Sequence, residues 1–154
     1  MESNRYAPPK ADLDGVRSDT GPAPALWNPT AAANWSLLFS PVFGAWVQMK
    51  NWTTLGETRR AAAAKGWLIA SAVLILGLTF AGILMPRSAI AAATNPLAFL
   101  MLIIWYFSSA RSQTKWVAER FGADYPRRGW GQPLLWGLGA YAAVIAVAAM
   151  ASRV

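Results

Sequence analysis

The chain contains no cysteine and no histidine. Disulfides, iron–sulfur ligation, thiol nucleophiles, zinc sites of Cys/His type and imidazole acid–base catalysis are thereby excluded. Acidic residues are scarce too, with 7 Asp+Glu against 14 Lys+Arg. Four of the seven, Glu2, Asp12, Asp14 and Asp19, stand in the first 33 residues, which leaves Glu57, Glu119 and Asp124 for the rest. Nothing in their spacing places two carboxylates together for acid–base work, and no phosphate-loop, nucleophile-elbow or His-Glu-x-x-His pattern occurs. We expect no catalytic residue, no cofactor and no metal, and hence no enzyme.

Charge as a whole is low. A soluble domain is about a quarter charged, and this chain is 14% charged and 55% hydrophobic. Its apolar residues form long blocks. Gly66 to Met85 is a run of 20 residues without charge, stopped by Lys65 and by Pro86-Arg87. At about 1.5 Å per residue such a helix matches the roughly 30 Å of a bilayer's hydrocarbon core. Ser88 to Ala110 is a second uncharged run, firmest over Leu97–Phe107, with Asn95-Pro96 expected to turn or kink it. Pro133 to Ala151 is a third. The fold class expected is an all-α integral membrane protein with three transmembrane helices, about 66–85, 88–110 and 133–151.

Before these runs, the proline-rich residues 1–33 read as a flexible, slightly acidic tail with no signal-peptide core, and residues 34–154 as the helical membrane domain. Trp35–Met49 is apolar but, at 15 residues with a central proline, a poor crossing. Ser40-Pro41 is a helix-start signature and Gly56 a natural terminator, which predicts a helix over 41–55. Its residues Val42, Ala45, Trp46, Met49 and Trp52 share one arc, and Gly44, Gln48 and Asn51 fall opposite. We expect an amphipathic helix in the membrane interface, with a re-entrant segment or a fourth span as the other ways to thread it.

The distribution of charge sets the threading. Segments 50–65 and 111–128 each sum to +3, from four bases and one acid and from five bases and two acids, while the loop at Pro86-Arg87 holds one base. The positive-inside rule puts both basic segments and the N-terminus in the cytoplasm and the C-terminus in the periplasm. Most tryptophans fall on the same side. The residues expected at the membrane interface, against lipid headgroups, are Trp52, Arg59, Arg60, Lys65, Trp67, Arg111, Lys115, Trp116, Arg127, Arg128 and Trp130. A net charge of +7 beside membrane spans points to a bilayer with anionic headgroups as partner, and not to nucleic acid. Gly77 with Ala81, and Gly139 with Ala143, give the small-xxx-small spacing of close helix packing.

Asn34-Trp35-Ser-Leu-Leu-Phe39-Ser-Pro41-Val-Phe43-Gly44, with Lys50-Asn51-Trp52 after it, and Ser109-Ala-Arg111-Ser-Gln-Thr-Lys115-Trp116-Val-Ala-Glu119-Arg120-Phe121-Gly122 followed by Tyr125-Pro126-Arg127-Arg128 together resemble a group of small uncharacterised proteobacterial inner-membrane proteins. The first stretch is also distantly similar to a domain-of-unknown-function family with an Asn-Trp, Phe and Pro pattern before its spans. The resemblance covers residues 27–135 and implies a multi-pass protein of the bacterial inner membrane. It carries no activity and no site residues. In size, charge and span number the chain further resembles immunity proteins against pore-forming bacteriocins. The expected function is non-catalytic: protein–protein or helix–helix interaction with a protein partner, as an immunity protein against a membrane-acting toxin or as an accessory subunit. The alternative is an oligomeric channel or small transporter, whose path Ser71, Thr79, Asn95, Ser108 and Ser109 would line.

Overall fold

Long uncharged sequence has no better way to satisfy its backbone in an apolar medium than a helix. A computed structural model describes residues 22–85 and 87–151. Residues 1–21 of the expected tail, Pro86 of the expected outer turn and residues 152–154 lie outside the described residues. Regular structure among the described residues is helical apart from one isolated parallel bridge, Leu26 to Arg127. The helices are α1 (Pro29–Thr54), α2 (Thr58–Leu84), α3 (Ala89–Trp105), α4 (Arg111–Phe121) and α5 (Gly131–Ala151), with a π-helical turn, Tyr106–Ala110, joining α3 to α4.

Among the described residues, two helices are long and apolar enough to cross a membrane: α2, and the continuous α3–π–α4 run Ala89–Phe121 of 33 residues. They carry the runs 66–85 and 88–110 except for Met85 and Ser88, which cap them. Ser88 caps α3 by accepting from the Ala91 amide at 3.2 Å. The two helices then run antiparallel, with Gly82 against Ala91 and the Thr94 hydroxyl donating to the Leu78 carbonyl at 3.5 Å. At Asn95-Pro96 the chain does not turn: Pro96 lies inside α3 and the helix continues through it. The start of the helix is set by the Ser88 cap, seven residues before Asn95.

The second departure is α1. Read as one straight helix, its ends would stand roughly 36 Å apart. Instead the Trp27 amide donates to Asn51 Oδ1 at 3.1 Å, and Asn51 Nδ2 donates back to the Trp27 carbonyl at 2.8 Å. α1 is therefore a helical hairpin, broken at Ser40 (φ 75°, ψ 165°). Pro41 disfavours helical backbone at the residue before it, and it lacks the N–H that the break would otherwise leave unpaired. Arm 41–54 corresponds to the helix expected at 41–55, and Gly56 ends it with a positive φ of 74°. Arm 29–39 reaches back into the segment 1–33: Asn28 caps it through the amides of Thr30 and Ala31, and Pro29 takes its first position.

Burial corrects the amphipathic assignment of arm 41–54. Ala45 and Trp52, on the apolar arc, are buried, but so are Gly44, Gln48 and Asn51 opposite them. The polar residues face protein, because arm 41–54 runs alongside the α3–π–α4 helix and offers them partners there. One apolar cluster joins Ala33, Ala45, Leu102, Trp105 and Ala110, with Trp67 and Leu68 against it. A second joins Trp27, Ala32, Phe43 and Val47, with Trp130 and Leu134 packed on it. α5, the 21-residue helix holding the run 133–151, packs on α1 through Gly137, which lies against Phe39 and Phe43.

A side chain at Ser40 is held in backbone territory that only glycine occupies freely, at about 1–3 kcal/mol. Ser40→Gly should therefore raise stability by about 1 kcal/mol after the added flexibility of the unfolded glycine is subtracted. Ser40→Ala should not. Thermal unfolding in detergent micelles measures both.

Candidate functional site

Arm 41–54 lies parallel to residues 102–116, and amide side chains lock the two together. Gln48 Nε2 donates to the Ser109 carbonyl at 2.8 Å, and the Ser109 hydroxyl donates to Gln48 Oε1 at 3.0 Å. Gln113 Nε2 donates to the Gln48 carbonyl at 3.0 Å, while Asn51 Nδ2 donates to Gln113 Oε1 at 3.4 Å. Asn51 also holds Trp27, whose indole N–H donates to the Gly129 carbonyl at 3.0 Å. Leu26 completes the closure: its amide donates to the Pro126 carbonyl at 3.0 Å and its carbonyl accepts from the Arg128 amide at 2.8 Å. The segment before α1, the hairpin, the α3–π–α4 helix and the α4–α5 connection thus meet at one end of the molecule.

The π turn lies at this join. Ser109 and Gln113, four residues apart and so on one helix face, point inward towards Gln48, and Ser108 and Ser112 point outward. Gly44 is the complementary concession on the hairpin, since a methyl there would overlap the Ser36 hydroxyl and the Trp105 ring. Trp105 Nε1 and Ser71 Oγ are buried with no hydrogen-bond partner among the described residues.

The same end gathers the cations and tryptophans. The Arg60 guanidinium lies 4.9 Å from the Trp52 ring centroid and 5.4 Å from that of Trp116, and the two rings meet edge to face at 5.2 Å. Arg120 stacks on Trp116 from another side at 5.4 Å. Arg128 covers Trp27 at 4.8 Å and Arg127 covers Tyr125 at 5.6 Å. Partial burial pushes the Tyr125 phenol up from its ordinary value, opposed by the nearby Arg127 charge. Two exposed ion pairs are long: Arg60 to Glu57 at 3.7 Å and Lys115 to Glu119 at 3.6 Å. Between α2 and the π–α4 helix opens a cleft of about 380 Å³, lined among others by Trp52, Arg60, Trp67, Ser108, Lys115 and Trp116.

Of the residues expected at the interface, Arg60, Trp67, Lys115 and Trp116 come together in this cleft. Arg59, Lys65 and Arg111 are exposed near it, and Arg127, Arg128 and Trp130 frame the Leu26–Trp27 side. Trp52 is instead buried, as the floor on which Arg60 lies. Gly77 and Gly139 face open space, and Ala143 is exposed while Ala81 is half-buried; close helix contacts fall at Gly44, Gly82 and Gly137. Sequence reasoning did not single out Trp27 or Gln113, and it gave Ser109 only as a channel-lining residue, where the structure places it in the clasp. For Trp27 a signal was present, because Asn28-Pro29 is as good a helix start as Ser40-Pro41. No group of three or more acidic residues that could hold a metal ion forms among the described residues. Comparison with family models, curated proteins and solved structures found no match to the chain.

Removing one member of the amide clasp strands its buried partners, at about 1–3 kcal/mol. Gln48→Leu should lower stability by that amount, and a double-mutant cycle with Ser109→Ala should show coupling of about 0.5–3 kcal/mol. Asn51→Leu should also free the residues ahead of α1. Limited proteolysis should then cut near Trp27 faster than in the wild-type protein.

Proposed function

We propose that this is a small, non-catalytic, multi-pass protein of the bacterial inner membrane that works by helix–helix contact with a membrane protein partner. It is an immunity protein against a membrane-acting toxin, or an accessory subunit of a membrane complex. The observation that carries the reading is how the polar groups are used. Gln48, Asn51, Ser109 and Gln113 are consumed by the clasp, while large apolar side chains along α5 stay uncovered, Leu138, Tyr141, Ile145 and Met150 among them. With Gly139 open beside them, that face suits close approach of another helix.

In this reading α2, the α3–π–α4 helix and α5 are the three spans, and α1 is a re-entrant hairpin entering and leaving on the cytoplasmic side. Its tip carries Leu37 and Leu38, both about two-thirds exposed, level with the apolar part of α3 through the Ala33–Leu102 cluster. The pairing of Leu26 with Pro126 and Arg128 supports an N-terminus on the side of the basic segments, hence cytoplasmic, and a periplasmic C-terminus. The channel alternative has less support. The Thr79 and Ser108 hydroxyls donate to carbonyls of their own helices, and Ser109 belongs to the clasp, so few polar groups remain to line a path.

The absence of cysteine makes labelling clean. Single cysteines at Pro22 and Thr53 should react with impermeant thiol reagents only from the cytoplasmic face, and one at Leu38 should resist them from both faces. Periplasmic labelling at Pro22 would convert α1 into a crossing and overturn the hairpin. For the function itself, a strain lacking the gene should lose survival against membrane-acting toxins of neighbouring strains. Unchanged survival across such toxins would remove the immunity form and leave the accessory subunit.

A further inference from the structure

The cleft between α2 and the π–α4 helix has a depth, a charge and a donor pattern that specify a ligand. Trp67 is the second residue of the uncharged run in α2, and Ser108 and Ser109 are among the last of the uncharged run on the facing helix. Arg60 stands about two turns before Trp67, and Lys115 about two turns beyond Ser108. The cleft therefore straddles the boundary between apolar and charged surface, where the phosphates of a bilayer lie. We propose that it is a binding site for the phosphodiester of a membrane glycerophospholipid. This rests on the reading of the basic end as the one that faces the cytoplasmic headgroups.

Arg60 is the anchor. Its guanidinium rests in the corner between the edge-to-face rings of Trp52 and Trp116, which restricts its movement, and its planar fork of donors matches a pair of phosphate oxygens. Lys115, on the opposite wall, brings a mobile second charge. Each cation has a carboxylate nearby, Glu57 and Glu119, but at 3.7 and 3.6 Å, the first pair partly and the second largely exposed to solvent. Such pairs are weak and give way to a doubly coordinated phosphate. Among the lining residues, Arg60 and Lys115 outweigh Glu119, a net +1.

The hydroxyls say what else is attached to the phosphate. Ser108 donates its proton to the Ile104 carbonyl and Ser112 donates to that of Ser109. Both therefore present lone pairs to the cleft and suit a hydroxyl or ammonium on the headgroup, not a further oxyanion. Below them, Ile104 lies one turn from Ser108 on the same face and is half exposed, a track for an acyl chain. A volume of about 380 Å³ is in the range of small-ligand sites.

Native mass spectrometry of the full chain, released from nanodiscs, tests this. Phosphatidylglycerol and phosphatidylethanolamine should both be retained, and diacylglycerol, which lacks the phosphate, should not. Arg60→Gln should weaken retention about tenfold and the exposed Lys115→Gln about threefold, with Arg59→Gln, the same charge lost outside the cleft, changing it less than twofold. Millimolar inorganic phosphate should not displace the lipid. Equal losses for Arg59→Gln, Arg60→Gln and Lys115→Gln would show attraction to the collar alone, and displacement by free phosphate would show a soluble ligand; either overturns the site and leaves the topology standing. Periplasmic labelling of a cysteine at Glu119 would instead overturn the topology on which it rests. If Arg60→Gln fails to fold, Lys115→Gln decides.

Discussion

Four side-chain amide and hydroxyl groups hold this fold together. Gln48, Asn51, Gln113 and Ser109 are nearly inaccessible, and each bonds across the join between the hairpin and the α3–π–α4 helix. In water such bonds contribute little net, because solvent competes for every partner. In an apolar surround the asymmetry grows: a bond made is worth a modest amount, but a buried amide left unmatched is expensive. The clasp therefore acts mainly by exclusion. Sliding the hairpin by one residue would strand several polar groups at once, whereas the apolar contacts of Ala33, Ala45 and Leu102 would tolerate the slide far better.

The irregular features follow from that requirement. The π turn Tyr106–Ala110 lies at the clasp itself, and Ser109 within it bonds to Gln48 through both its hydroxyl and its carbonyl. Ser40 is held at positive φ because both arms must reach back to the same end, so that Trp27 and Asn51 can exchange hydrogen bonds. Gly44 admits the Trp105 ring where any side chain would hold the two helices apart. Strain at Ser40 and a distorted turn in the second long helix are offset by the same set of bonds.

What the sequence disclosed was whatever depends on neighbours along the chain. The apolar runs of Gly66–Met85 and Ser88–Ala110 are legible by length and lack of charge, and the stop at Gly56 by its conformational freedom. Arg60, Trp67, Lys115 and Trp116 were legible as one group because the two basic segments abut the two runs. The inward orientation of Gln48 and Asn51 was not, since periodicity gives two faces without saying which is covered. Nor was the doubling back of α1. Ser40-Pro41 marks a new helix in either case, and only contacts between residues 24 apart, Trp27 and Asn51, turn that start into a hairpin. Pro96 makes no turn for the converse reason: a proline inside an apolar helix is tolerated where neighbouring groups absorb the lost bond.

The position of α5 follows from the hairpin. Gly137 and Leu134 rest on Phe39, Phe43 and the cluster around them, so its first turns are fixed by α1 and not by α2 or α3. Beyond Leu138 the side chains are mostly exposed. A helix held at one end by a hairpin, and the hairpin held by a polar clasp at the basic end, form a mechanical series. A perturbation of Arg60 or Trp116 reaches Trp52 directly, and Trp52 sits one residue from Asn51 of the clasp. The same path leads through α1 to α5. On the proposed reading, headgroup contact at the basic end and helix contact on α5 would be joined through one set of packed residues, and the clasp is the element that both would load.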